Sequence, residues 1–359
     1  MSVPSQEKPP IKVGVVGFGM SARVFHCPLI ASNPNYELAA VVERHGEKSK
    51  IKYPQVKVVH SIDDLLAMAD IELVVVTTPN DTHVPYARQA LLAGKHCIVE
   101  KPFAVTEAEA RDLARTSAET GKVLSVFQNR RWDGDFLTIK QLLANNALGS
   151  VVEIESRFDR FRVFKKDNAW REVDDFPGSG VLYDLGAHLF DQIVDLFGTP
   201  TYVTGTVRNE RQIAGAPDDS FLVILDYPTQ NFKAVCRAGM LVRDKPARFT
   251  VLGSRGTFTK HNLDVQEDQL KSGIIPNDPE YGKDKPSQFG TIDSEIYPGV
   301  HARGTITTAD GDYPAYYNNI ANAIRGEAEL VVTPDQAADV IRIIELAKQS
   351  SAERRSLSF

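Results

Sequence analysis

Cysteine is scarce in this chain: Cys27, Cys97 and Cys236 are the three among 359 residues, odd in number and far apart. That spacing excludes a disulfide framework and a zinc site built on Cys-x-x-Cys pairs, so the thiols are expected to be reduced and buried. Long apolar runs are missing too. No stretch approaches the roughly 18 uninterrupted apolar residues of a membrane span, and Met1 to Pro10 has no apolar segment of the kind that directs secretion. Nor is there an excess of positive charge. Lys and Arg number 41 against 47 Asp and Glu, a formal net charge of -6, with neither basic blocks nor basic residues interleaved with aromatics. A general nucleic-acid or membrane-surface binder is therefore excluded, and a cytoplasmic protein acting on a small molecule is expected. No residues cluster at metal-ligand spacing, so no metal is expected, and no internal repeat or low-complexity tract is found.

What is present is an ordinary globular composition, 42% hydrophobic and 25% charged, on a chain long enough for two domains. The informative stretch is Ile11 to Ala22. Ile11, Val13, Val15 and Val16 read as a buried parallel strand, and Gly17-Phe18-Gly19-Met20-Ser21-Ala22 follows at once with the spacing of a dinucleotide fingerprint. Gly17 permits a tight turn, Gly19 lets backbone N–H groups approach a pyrophosphate, and Ala22 lets helix and strand pack closely. The competing reading is a glycine-rich turn of some other α/β protein. Against it stands a second apolar strand, Leu38 to Val42, ending in Glu43, where a carboxylate accepts hydrogen bonds from the adenosine ribose. Glu43 favours NAD, whereas Arg44 beside it suits adenine or the 2′-phosphate of NADP, so the cofactor is NAD or NADP with NAD preferred.

Up to about residue 126, short β-branched runs alternate with helical ones, which predicts an α/β fold with a doubly wound parallel sheet. Strands are expected near 11–16, 38–43, 73–76, 96–99 and 123–126, and helices near 20–31, 62–68, 81–93 and 106–120, the last opened by a Thr106 to Glu109 capping box. Ligands bind beyond the carboxyl ends of such strands. That rule singles out Glu43-Arg44, Thr77-Thr78-Pro79-Asn80, Glu100-Lys101-Pro102 and Gln128-Asn129-Arg130-Arg131. Around Leu148-Gly149 the pattern changes to longer strands, near 151–163, 202–208, 219–227, 231–240 and 247–260, forming a mostly antiparallel sheet. A helix over 179–197, closed by Gly198 as a left-handed cap, interrupts them. Residues 262–312 read as irregular loop, and helices return near 314–326 and 334–352, the latter opened by a Thr333 to Gln336 capping box. The expected division is 11–127 for dinucleotide binding and 128–359 for substrate binding and association.

Two constellations carry chemistry. Lys101 leaves the fifth strand for the crevice where a nicotinamide would lie, and its ammonium suits a developing alkoxide; the alternative is a solvated loop lysine. Asp184 and His188, four apart, share one face of the 179–197 helix, opposite an apolar stripe of Leu182, Leu185, Leu189, Ile193 and Leu196. A carboxylate one turn from an imidazole can hold the ring for proton transfer near neutral pH. The alternative is a polar solvent face made with Asp191 and Asp195.

The Gly17–Ala22 turn, Thr78-Pro79-Asn80, Glu100-Lys101-Pro102 and Asp184-x-x-x-His188 together resemble the glucose-fructose oxidoreductase/inositol dehydrogenase (Gfo/Idh/MocA) oxidoreductases, across nearly all of residues 11–355. Gln128 to Asp133, Trp170-Arg171, Gly178-Ser-Gly and Tyr313 to Tyr317 resemble a branch that includes scyllo-inositol dehydrogenases. The resemblance implies an N-terminal Rossmann domain and a C-terminal α/β domain whose open sheet forms a dimer, or a dimer of dimers. It implies Lys101, Asp184 and His188 as the catalytic set, and Pro79, Asn80, His83, Glu100, Asn129 and Trp170 beside the cofactor. Arg131 and Tyr316 would reach the substrate, a cyclic polyol or sugar, with Asp159, Arg160, Arg162 and Asn168 as further donors and acceptors. The expected reaction moves hydride between the nicotinamide and a secondary alcohol, with His188 taking the proton, Asp184 orienting His188, and Lys101 stabilising the alkoxide. A dinucleotide-sensing regulatory protein on the same fold is the alternative, and it would have no need of Lys101 and His188.

Overall fold

The computed structural model describes residues 8–166 and 170–359, so Asn168 lies outside the described residues. Six strands form a parallel sheet: β1 (Ile11–Val16), β2 (Tyr36–Val42), β3 (Lys57–Val59), β4 (Leu73–Val76), β5 (His96–Val99) and β6 (Leu124–Val126), in spatial order β3-β2-β1-β4-β5-β6. Their unbroken aliphatic runs suit a sheet covered on both faces, and every residue of β4 is buried. The order reverses between β1 and β4, and in such sheets the crevice beyond that reversal takes the ligand. β3 is not foreseen from the sequence because three residues carry no period.

The second sheet has nine strands: β7 (Val151–Arg157), β8 (Tyr202–Arg208), β9 (Ser220–Tyr227), β10 (Phe232–Gly239), β11 (Phe249–Gly253), β12 (Gly256–Lys260), β13 (Gly290–Tyr297), β14 (Val300–Ile306) and β15 (Leu357–Ser358). They run in the order β14-β13-β12-β11-β7-β10-β9-β8-β15. β7 and β10 pair parallel and the other neighbours antiparallel. Burial alternates along β9 and β10, as expected of a sheet covered on one face. The helices Ala187–Phe197 and Pro334–Glu353 cover the inner face, the latter opened by the expected Thr333 capping box.

Several expectations are corrected. The strand drawn over 151–163 ends at Arg157, and the one drawn over 247–260 is the β11–β12 hairpin, whose alternation continues across a turn at Ser254-Arg255. Residues 262–312 hold the helix Gln266–Ser272 and the β13–β14 hairpin, ordered by pairing with β12 rather than by local pattern. A helix also forms at Gly134–Ala144. Gly198 has φ +75° and ψ -162°, which is not the left-handed α conformation. The helices that meet the cleft both open with a π-helical turn, Ala22–His26 and Leu182–Gly186.

All three cysteines are buried and free, and burial pushes Cys27 and Cys236 up to about 12. Among the described residues no helix is long and apolar enough to cross a membrane.

Candidate active site

β1 turns sharply because Gly17 takes φ +96°, where a Cβ would be strained and would lie 3.2 Å from Thr77 Oγ1. In front of Gly19 a Cβ would meet nothing within 4 Å, which leaves space for a phosphate to approach the backbone. Ala22 is fully buried against the sheet. The first helical bond runs from Arg23 N–H to Gly19 O (3.1 Å), so the preceding amides have no acceptor within the helix. These residues fit a dinucleotide pyrophosphate. Met20 and Ser21 line the cleft, while Phe18 packs on the core.

At the end of β2 the expected role of Glu43 is corrected. Its two carboxylate oxygens accept the backbone N–H groups of Lys48 (3.0 Å) and Ser49 (2.8 Å), and the residue is only 7% exposed. Glu43 therefore caps the helix Ser49–Lys52 instead of presenting an open ribose acceptor. Arg44 and Lys48 are exposed beside it.

A cleft of about 540 Å³ runs from Met20 and Ser21 past Thr78, Glu100 and Lys101 to Arg160, Arg171, Asp184 and His188. Lys101 Nζ donates to Asp184 Oδ1 (2.9 Å) and to Asp184 O (2.7 Å). Arg171 Nε lies 3.5 Å from Oδ1 and Arg160 Nη1 3.8 Å from Oδ2. Burial alone would raise the Asp184 pKa, but Lys101, Arg171 and Arg160 outweigh it and hold the carboxyl well below the usual range.

His188 is 5% exposed, opens into the cleft, and does not bond Asp184. Its Nδ1 has no hydrogen-bond partner among the described residues. The expected pairing fails because Lys101 takes the carboxylate and the intervening turn is π-helical, which breaks the i, i+4 alignment. Burial first, then the cations Lys101, Arg130, Arg248 and Arg160, push the His188 pKa well below the ordinary value, so the ring is neutral. The solvent-face alternative fails as well: His188 and Asp191 are both buried.

Glu100 is held by a buried chain that sequence reasoning missed. His26 Nε2 lies 3.0 Å from Glu100 Oε1, and His26 Nδ1 lies 2.6 Å from the Tyr317 hydroxyl. Ser21 Oγ also donates to Oε1, and Lys101 N–H donates to Oε2 at 3.0 Å. Burial would raise the Glu100 pKa, but His26 above all, with Lys101 and Ser21, holds it at about 2. No period or motif in the sequence marks His26. His83 is buried at the cleft wall, with Nδ1 2.8 Å from Pro102 O and Nε2 2.9 Å from Thr78 O, so it ties two strand-end turns together.

The remaining expected site residues divide. Asn129 lines the cleft, as do Arg160 and Arg162, and Trp170 lines an adjoining recess with Arg171. Pro79 is exposed, and Asn80 is buried with its Nδ2 donating to Gly178 O (2.8 Å), which braces the loop of the second domain. Arg131, Tyr316 and Asp159 are corrected. Arg131 is 1% exposed and forks onto Asp191 at 2.8 and 2.7 Å, with Asp195 at 3.0 Å. Tyr316 is buried among Phe127, Trp132 and Tyr317. Asp159 pairs with Arg157 at 2.8 Å, away from the cleft. Strand-end position pointed at Arg131, but it does not say on which side of the turn a side chain falls.

Comparison with known proteins agrees with this geometry. Residues 11–128 match the NAD-binding Rossmann fold of the Gfo/Idh/MocA oxidoreductase family, and residues 140–359 match its C-terminal α/β domain. The uncharacterized oxidoreductase YdgJ of Escherichia coli is 42% identical over 347 residues, 97% of this chain and 98% of the relative. The scyllo-inositol 2-dehydrogenase (NADP(+)) IolW of Bacillus subtilis is 38% identical over 347 residues, 97% of this chain and 95% of the relative. The solved structure of the oxidoreductase yvaA from Bacillus subtilis superposes with a TM-score of 0.94 at 37% identity, covering 99% of this chain and all of that one. With both domains matched and the glycine turn, Lys101 and Asp184 gathered at one cleft, the chain belongs to the Gfo/Idh/MocA oxidoreductase family.

Proposed function

We propose that this protein is a dehydrogenase that moves hydride between a nicotinamide dinucleotide and a secondary alcohol of a cyclic polyol or sugar, scyllo-inositol-like rings included. The observation that carries the reading is a neutral His188, its Nδ1 without a hydrogen-bond partner among the described residues, in the same cleft as an ammonium, Lys101, pinned by Asp184. The dinucleotide, when bound, supplies the hydride acceptor or donor. The chain does the rest. In the oxidative direction His188 takes the hydroxyl proton, and the Lys101 ammonium stabilises the oxygen as negative charge develops on it. Asp184 fixes Lys101 rather than His188.

NADP is the cofactor best supported. Glu43 is occupied as a cap, Arg44 and Lys48 are exposed next to the adenosine end, and the Bacillus subtilis relative is named for NADP. Association through the outer face of the second sheet, as a homodimer or a dimer of dimers, also belongs to this reading. Leu222, Ile224, Val235 and Leu252 stand half-exposed on that face among Glu153, Glu155, Arg157 and Arg237, a mixed apolar and charged surface of the kind two copies can share. Light scattering at micromolar concentration tests it, and a monomer would refute it.

The function is tested by assaying a panel of inositols and aldoses with NAD and NADP separately. Reduction of either dinucleotide by a polyol is expected. Tight dinucleotide binding without turnover of any polyol would leave the sensing protein instead.

A further inference from the structure

The helix that carries Asp184 and His188 opens without a cap of its own. Gly180, at φ +95°, has no side chain, and Val181 after it offers no side-chain cap to the leading amides. The cap comes from 36 positions further along the chain. Asp218 Oδ2 accepts the Leu182 N–H at 2.7 Å, and Asp218 O accepts the Val181 N–H at 3.0 Å. A Cβ on Gly180 would lie 2.2 Å from Asp218 Oδ1, so the glycine is what lets the carboxylate come this close. Burial pushes the Asp218 carboxyl up to about 6, with the Leu182 N–H and Lys348 opposing it, so the group is ionised at neutral pH and its bond to Leu182 is charge-assisted.

Asp218 is itself held in place. Its neighbour Asp219 is 1% exposed and accepts the Glu210 N–H at 2.7 Å, the Arg211 N–H at 3.1 Å and Arg211 Nε at 2.7 Å. The Asp219 main chain bonds Arg208 O at 2.9 Å and the Met240 N–H at 3.1 Å, so the loop between β8 and β9 is fixed to the second sheet independently of the helix. The two residues after Leu182 are tied elsewhere. The Tyr183 hydroxyl donates to Val105 O at 2.7 Å, in the segment that follows Lys101, and Asp184 binds Lys101 through its carboxylate and its main-chain oxygen. Leu182, Tyr183 and Asp184 open the π-helical turn, and each is held by a different segment. Asp218 supplies the hold from the second domain.

We propose that Asp218 is a positioning residue for the reaction: through the Leu182 N–H it sets the backbone of the turn whose Asp184 oxygens fix Lys101. The proposal rests on the dehydrogenase reading above and adds to it a residue that acts through another. Because Lys101 Nζ donates to the Asp184 main-chain oxygen at 2.7 Å, a shift of the turn moves the anchor of the ammonium directly, and no side-chain rotation restores it. His188 follows on the same helix and moves with it. Small displacements of a catalytic group carry large rate costs.

The test joins kinetics to hydrogen exchange on Asp218→Ala and Asp218→Asn. In Asp218→Ala, kcat for the polyol that the wild type oxidises best is expected to fall about tenfold, with the dinucleotide Kd within about twofold of wild type. The Leu182 amide should exchange faster, because its acceptor is gone. Asp218→Asn keeps an oxygen for that N–H and should recover most of both effects. Turnover in Asp218→Ala within about twofold of wild type, or equal losses in the two variants, would overturn the proposal and leave the dehydrogenase reading standing. A wild type that binds dinucleotide and oxidises no polyol would overturn that reading instead. Exchange at Leu182 would then decide alone: a rate unchanged in Asp218→Ala would show that Asp218 does not hold the turn.

Discussion

Lys101 and Asp184 hold each other twice, through the carboxylate at 2.9 Å and the main-chain oxygen at 2.7 Å, across 83 positions of sequence. The second domain thereby fixes the ammonium that the first domain brings to the end of β5. Lys101→Ala and His188→Ala are expected to lower turnover by about two to four orders of magnitude, the size of a lost acid–base contribution, with dinucleotide affinity little changed. The base form of His188 is the productive one for oxidation. Its pKa is lowered, so the acid limb of the oxidative pH–rate profile should lie below the 6.5 of an ordinary histidine. An acid limb at or above that value, or near-normal turnover in His188→Ala, would remove His188 from the mechanism.

Arg131 should behave as a structural residue. Buried with Asp191 and Asp195, it cannot be removed without leaving uncompensated charge, so Arg131→Ala should cost about 3–5 kcal/mol in urea unfolding. Arg131→Met with Asp191→Leu should recover much of that loss. A variant of unchanged stability but raised KM for substrate would restore Arg131 to the substrate wall.

Cofactor choice should follow Arg44 rather than Glu43. Glu43→Ala removes a cap and should cost about 1 kcal/mol of stability with little change in the NADP-to-NAD ratio. Arg44→Ala should raise KM for NADP about tenfold while sparing NAD. Titration of both dinucleotides decides this, and a strong swing toward NADP in Glu43→Ala would show the carboxylate facing the ribose after all.

Local chemistry was legible in the sequence and cross-chain chemistry was not. The Gly17 turn, the Thr106 and Thr333 capping boxes and the position of Lys101 after β5 each depend on a few adjacent residues. The partner of Asp184 depends on a residue 83 positions away, and the burial of Arg131 on one 60 positions away. A π-helical turn leaves no mark in an apolar pattern, so the i, i+4 argument for Asp184 and His188 drew a contact that the structure does not make. Arg171 stood in a recognised motif without a role, because its approach to Asp184 depends on how the loop folds against the next helix.

His26 is the buried link that keeps Glu100, and through it the Lys101 main chain, in place. Burial would raise the Glu100 pKa, yet His26, Lys101 and Ser21 bring it from an ordinary 4.5 to about 2. A depressed carboxyl contributes stability that is fully present above its unfolded pKa and is lost as the pH falls through the folded one. That contribution, on the order of 3 kcal/mol for the whole set of partners, is therefore present at neutral pH and disappears between about 4.5 and 2. In His26→Ala the largest partner is gone. The variant should be less stable than wild type at neutral pH, and the gap should close on acidification through that window. Turnover should fall about tenfold as Lys101 loses its placement, since small misplacements of a catalytic group carry large rate costs. His26→Gln, whose amide can still donate to Glu100, should recover part of both. Urea unfolding across the acid range, run beside kcat for the two variants, gives the answer: a gap that does not vary with pH, with no recovery in His26→Gln, would mean that His26 merely fills space.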